Sequence, residues 1–154
     1  MAKAGYNVMT QASVALVAST AKTVLAATSP ATHGLDLKKL RIAFDSVTYS
    51  AAPVLLEIIT GDLGAAGTST ACTVRQVYGR SILSTSFTAT YGYTVEPTTL
   101  TVVDTTLITP VGGTFWYDYP LGDTPDIGVS SLIGLRLTAP AGVNCRAAMA
   151  LERC

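Results

Sequence analysis

Charge is what this chain has least of. Asp, Glu, Lys and Arg make up 13% of its 154 residues and cancel to a net charge of zero. A free-standing globular domain carries about a quarter charged residues and a net charge away from zero. Weakly charged surface costs little to desolvate, so the composition predicts a protein covered over much of its area by neighbouring subunits. Zero net charge also argues against a nucleic-acid partner, because gripping a phosphate backbone takes several Lys or Arg on one face. The basic cluster Lys38, Lys39 and Arg41 reads as the solvated start of a strand.

Catalytic and metal chemistry are poorly supplied. Histidine occurs once, at His33, in a Ser-Pro-Ala-Thr-His-Gly loop where a solvent-facing ring is expected. No serine sits in a GxSxG turn, and no set of nucleophile, base and orienting group suggests itself. The three cysteines, Cys72, Cys145 and Cys154, contain no CxxC pair, which removes the usual zinc framework. An odd number also excludes complete internal pairing. Cys145 reads as core, and Cys154 as a free thiol rather than a cross-link to another subunit. Glu57, between Leu56 and Ile58, is expected on the outward face of its strand, a buried proton-shifted carboxylate being the alternative. Asp118, Asp123 and Asp126 read as turn residues in preference to calcium ligands. Residues 61–64 lack the ending of a phosphate loop. No enzyme activity, cofactor or metal is expected.

No run reaches the roughly 18–20 apolar residues that span a membrane; residues 12–27 are interrupted by Ser19, Thr20, Lys22 and Thr23. The opening residues lack the basic-then-apolar order of a signal peptide. Synthesis and folding in a cytoplasm, with no membrane partner, are expected.

What is abundant is Thr, Val, Ile and Tyr, which suit a half-buried pleated surface, punctuated by Gly and Pro at short intervals. Leu40, Ile42 and Phe44 alternate with Arg41, Ala43 and Asp45 in a strand over 39–47. Pro53 opens another over 54–60 with Leu56 and Ile58 facing inward. Residues 13–27 read as one or two strands with a break near 19–22, helix being the alternative for this Ala-rich stretch. Further strands are expected over 73–78, 105–109, 114–119, 132–138 and 144–152, and more weakly within 81–94. Pro110-Val111-Gly112-Gly113 and Ala139-Pro140-Ala141-Gly142 read as hairpin turns. About eight to ten strands predict an all-β, single-domain β-sandwich, jelly-roll-like, over residues 13–154. Residues 1–12 read as a short extended N-terminal arm that orders on a partner. Its removal is expected to weaken binding without unfolding the domain.

Two places stand out as candidate interface. One is the arm, through Tyr6, Val8 and Met9. The other is Phe115-Trp116-Tyr117-Asp118-Tyr119, where Phe115, Tyr117 and Tyr119 share one face of a strand and Trp116 the other. Aromatic side chains anchor interfaces because they bury much area at small entropic cost. A carbohydrate-binding module would instead need an aromatic platform, for which Trp116, Tyr91 and Tyr93 are the candidates.

Several stretches, taken in order, carry a resemblance. They are Lys22-Thr23-Val24-Leu25, residues 40–45, Pro53-Val54-Leu55-Leu56-Glu57, Val95-Glu96-Pro97-Thr98, Pro120-Leu121-Gly122, and Leu135-Arg136-Leu137-Thr138-Ala139-Pro140 followed by Val143 and Glu152. Together they resemble a family of small virion structural proteins from tailed bacteriophages, over most of residues 22–152. The resemblance implies non-enzymatic binding at the particle surface. The implied protein is a capsid decoration (cement) protein that associates with itself, as a trimer at local three-fold positions, and with the major capsid protein. A minor tail or fibre component involved in host attachment is the alternative, and only then, or for a sugar module, would a glycan be a ligand.

Overall fold

The computed structural model describes residues 3–45, 52–62, 68–79, 87–111 and 113–154. Of the loop expected over 61–67, Gly61 and Asp62 instead continue a strand, and residues 63–67, like the segment 81–86, lie outside the described residues. Thirteen strands are formed among the described residues: β1 (Gly5–Met9), β2 (Val14–Leu16), β3 (Ala21–Thr28), β4 (Leu35–Phe44), β5 (Val54–Asp62), β6 (Thr70–Cys72), β7 (Arg75–Tyr78), β8 (Thr88–Tyr91), β9 (Leu100–Ile108), β10 (Thr114–Asp118), β11 (Asp126–Ile127), β12 (Ser131–Thr138) and β13 (Val143–Arg153). The three beyond the expected ten are β1, where an arm was expected, and the short strands β6 and β11, too brief to show a period. One sheet has the order β10-β4-β13-β1-β7, with β11 on β4 and β2 on β13, and the other has β6-β8-β3-β12-β5-β9.

The chain is thus an all-β, single-domain β-sandwich. Inward residues of both sheets, such as Leu40 and Ile42 of β4 and Leu56 and Leu135 of β5 and β12, belong to one buried cluster. Each fully buried Leu or Ile contributes about 1.5–3 kcal/mol. In β4 the alternation is broken where Leu37 and Leu40 both face inward. The register shifts there: Leu37 pairs with Leu151 and Lys39 with Ala150. That extra residue is a β-bulge, which lets two inward leucines stand three positions apart.

β3 is buried from Thr23 to Ala27 without alternation, because both its faces are covered. Ala26 packs with Tyr93 and Leu132 in a second, small cluster beneath the segment that follows β8. Glu96 holds that segment in place, accepting from the Thr23 amide at 2.7 Å and its hydroxyl at 2.5 Å.

Three expectations are corrected. The proposed arm is not apart from the sandwich: residues 5–9 form β1, hydrogen-bonded to β13 on one side and β7 on the other. Tyr6 and Val8 are core residues, Tyr6 packing edge-on to Phe87 at 5.0 Å. At the β7 contact an added Cβ on Gly5 would lie 2.0 Å from the Tyr78 ring, which would have to move aside. Neither predicted hairpin exists. β9 and β10, and likewise β12 and β13, lie in different sheets, so each turn carries the chain across the sandwich. Turn residues fix where the chain reverses but not which strand it then pairs with. Lastly, His33 is buried, not solvent-facing, at 4% exposure.

Candidate interaction surface

Among the described residues β9 pairs only with β5 and β10 only with β4, so each is an edge strand, one for each sheet. They follow one another in sequence, and the Phe44 amide donates to the Gly113 carbonyl at 2.9 Å just before β10. One lateral side of the sandwich therefore presents two open edges, and β9 alone is about 30 Å long. Seven of the thirteen large apolar side chains exposed among the described residues lie between Val102 and Leu121. These include Leu107 at 64% and Trp116 at 58%. They flank both edges: Leu107 stands on the outward face of the six-stranded sheet and Trp116 on that of the seven-stranded sheet.

Between the two edges lies a cleft of about 290 Å³. Its floor is Leu40, Leu56 and Ile58. The β10 wall is Phe115, Tyr117 and Tyr119. Phe115 and Tyr117 are parallel within 2° at 6.5 Å between centres, and Tyr119 meets Tyr117 edge-on at 80° and 4.8 Å. The β9 wall is polar because Thr106 and Asp104 stand opposite Leu56 and Ile58 of β5. Asp104 Oδ1 accepts from the Thr105 amide at 2.8 Å, and Oδ2 lies 3.5 Å from the Tyr119 hydroxyl. Burial, and then the negative charge of Asp104, push the Tyr119 phenol well above its ordinary pKa.

The outward face of β10 is organised differently. Trp116 donates its indole N–H to Asp118 at 2.7 Å and carries the Arg41 guanidinium 5.0 Å from its ring centre. Lys39 reaches the same carboxylate at 2.9 Å. Hydrogen bonds from Lys39 and then Trp116 hold Asp118 below its ordinary pKa. Strand register extends this group across the sheet, pairing Trp116 with Arg41, Arg41 with Ala148 and Ala148 with Met9. Asn7, Arg41, Trp116 and Ala148 line a shallow depression of about 180 Å³ on this face.

The predicted interface residues thus divide. Tyr6 and Val8 belong to the core. Met9 and Trp116 stand exposed on the outward face, while Phe115, Tyr117 and Tyr119 form the cleft wall. The sugar platform is not assembled: Tyr93 is buried, and Tyr91 on β8 lies four strands from β9. Asp104 and Thr106 were not singled out in the sequence as interface residues, and Arg41 was read there only as part of a solvated basic cluster.

The remaining candidates for chemistry are dispersed. Glu57 faces outward and accepts from Arg136 Nε at 2.7 Å across β5 and β12. Among the described residues, no three His, Cys, Asp or Glu side chains are placed to hold a metal, and no helix is long and apolar enough to cross a membrane.

No protein-family model and no curated protein matches the sequence. Solved structures of VP2 from infectious bursal disease virus are similar over 98% of this chain. A mutant VP2 in derived T=1 particles is 9% identical with a TM-score of 0.26, over 40% of that chain. The VP2 subviral particle is 12% identical with a TM-score of 0.26, over 41% of that chain. This chain spans about two fifths of the length of those proteins.

Proposed function

We propose that this chain is a non-enzymatic virion structural protein of a tailed bacteriophage, made in the host cytoplasm and carried on the capsid surface as a decoration (cement) protein. It associates with copies of itself, as a trimer, and with the major capsid protein. The reading is supported above all by the β9–β10 side, where exposed apolar side chains gather along two open sheet edges in a chain with few charges. Contact through such a side stabilises the assembled state by mass action. Several linked contacts per oligomer make release slow even where each is weak. Nucleic acid and membrane have no part in this reading.

Immunogold electron microscopy of intact virions tests it. Dense label over the head is the expected result. Sparse label at the tail would replace decoration by the minor tail or fibre reading, and absence of label would overturn any virion role.

A further inference from the structure

We propose that the cleft between β9 and β10 receives a guanidinium group, the head of an arginine side chain presented by a neighbouring chain. β10 carries aromatic rings on both faces, and a carboxylate accompanies each set. On the outward face both have their cation: Arg41 lies over Trp116 at 5.0 Å, and Lys39 holds Asp118 at 2.9 Å. On the cleft face Phe115, Tyr117 and Tyr119 stand with Asp104. Among the described residues no Lys or Arg lines this cleft or is ion-paired with Asp104. The cleft repeats the outward arrangement without its cation.

The chemistry selects the ligand class. Ring faces and a carboxylate attract a cation and repel an anion. Asp104 Oδ1 is engaged by the Thr105 amide, whereas Oδ2 has only Tyr119 at 3.5 Å, beyond a good hydrogen bond, and can accept another donor. A planar guanidinium stacks on an aromatic ring and directs N–H groups at a carboxylate together, which an ammonium point charge does less well. The volume of about 290 Å³ suits a side-chain head, not a folded element. The flanking edge strands are each paired on one side only, so an extended segment carrying the arginine can add backbone hydrogen bonds beside it. This inference rests on reading the side as an assembly surface.

The test is an NMR titration of the full chain with L-argininamide, using tetramethylammonium and glucose as comparators. Argininamide is expected to shift the ring signals of Phe115, Tyr117 and Tyr119 saturably in the millimolar range. Asp104→Asn, a change at an exposed position, is expected to weaken binding about tenfold, or about 1.4 kcal/mol. Absence of saturation, unchanged affinity in Asp104→Asn, or equal or tighter binding of either comparator would overturn the proposal. Particle labelling is read separately. Argininamide binding by a protein absent from virions sustains the guanidinium site and removes decoration; a virion protein whose cleft ignores argininamide does the reverse.

Discussion

Trp116 and Met9 stand on one outward row of the seven-stranded sheet, with Arg41 on β4 and Ala148 on β13 between them. Three strand spacings separate the two ends, about 14 Å. With Trp116 and Met9 exposed at its ends and the Arg41 guanidinium over the Trp116 ring, the row carries side-chain types that anchor docking faces. Replacing both ends (Trp116→Ser with Met9→Ser) removes exposed groups, one cation–π contact and the exposed hydrogen bond from Trp116 to Asp118. Stability is expected to fall by no more than about 1 kcal/mol. Under the decoration reading, co-sedimentation with capsid shells is expected to weaken by tenfold or more. Unchanged co-sedimentation would remove this row from the interface.

The first strand lies inside the seven-stranded sheet, between β13 and β7. Deleting residues 3–11 removes β1 from between β13 and β7, and the expected outcome is loss of cooperative unfolding, not merely weaker binding. Tyr6→Ala is expected to cost about 3–5 kcal/mol, the range for emptying a buried aromatic site. Tyr6→Phe tests a finer point. The buried Tyr6 hydroxyl has no hydrogen-bond partner among the described residues, so its removal is expected to be neutral or to stabilise by up to about 1 kcal/mol. Urea denaturation of the two variants checks both.

Acid is expected to act on the fold through His33 first. Its Nδ1 lies 3.1 Å from the Thr32 hydroxyl, while Nε2 is buried without a partner among the described residues. Burial, and then the positive charge of Arg153, hold its pKa below the ordinary 6.5. The unfolded chain therefore binds the proton more readily. The stability associated with a neutral His33 is intact above pH 6.5, falls below it, and levels off once the folded-state value is passed. Glu152 acts in a lower window. Burial pushes its pKa up but is outweighed by hydrogen bonds from Lys3 and Tyr78 and by the charge of Lys38, so the net shift is downward from 4.5. Its contribution is lost as pH falls below 4.5 towards and through the folded value. A urea midpoint lower at pH 5.5 than at pH 7.5, with the difference abolished in His33→Gln, is the expected pattern.

The thiols are expected to be sluggish. Burial pushes Cys72 up to about 11 and Cys145 up to about 12, and burial and then Asp36 push Cys154 up to about 11. At pH 7.5 iodoacetamide labelling is expected to run at least about a hundredfold slower in the folded protein than in urea. Cys154, the exposed one, should react first, and Asp36→Asn should accelerate it alone. Rapid labelling of the native protein would contradict this account.

Much of the sandwich was legible where periodicity and burial agree. Leu40, Ile42 and Phe44 face inward, and Lys39 and Arg41 face out, as their alternation predicts. Leu56 and Ile58 do the same after Pro53, and the break near 19–22 is real, Ser19 taking a positive φ of 56° between β2 and β3. What escaped the sequence was long-range pairing. Tyr6 and Val8 alternate with Asn7 and Met9, but over five residues, too few to distinguish a central strand from an extended arm. The Pro-Gly turns marked reversals without revealing that the strands on either side separate into opposite sheets. His33 looked solvated because its loop is polar, whereas burial there is set by neighbours distant in sequence. The aromatic wall of the cleft could be read from positions 115, 117 and 119; its polar partner on β9 required the pairing of Asp104 with Ile58.

The placement of β1 ties together strands that lie far apart in the chain. β1 bonds to β13 through pairs such as Gly5 with Glu152, 147 positions apart. Until β13 has been translated, the seven-stranded sheet has a gap at its middle and Tyr6 and Val8 have no stable place to go. Pairing across so long a separation is slow because a long loop must close first. A translation product interrupted before β13 is left with an open sheet and a bare apolar face, which favours aggregation or degradation. Only a chain that carries both strands can close the sheet, so the topology works as a check on the integrity of each copy.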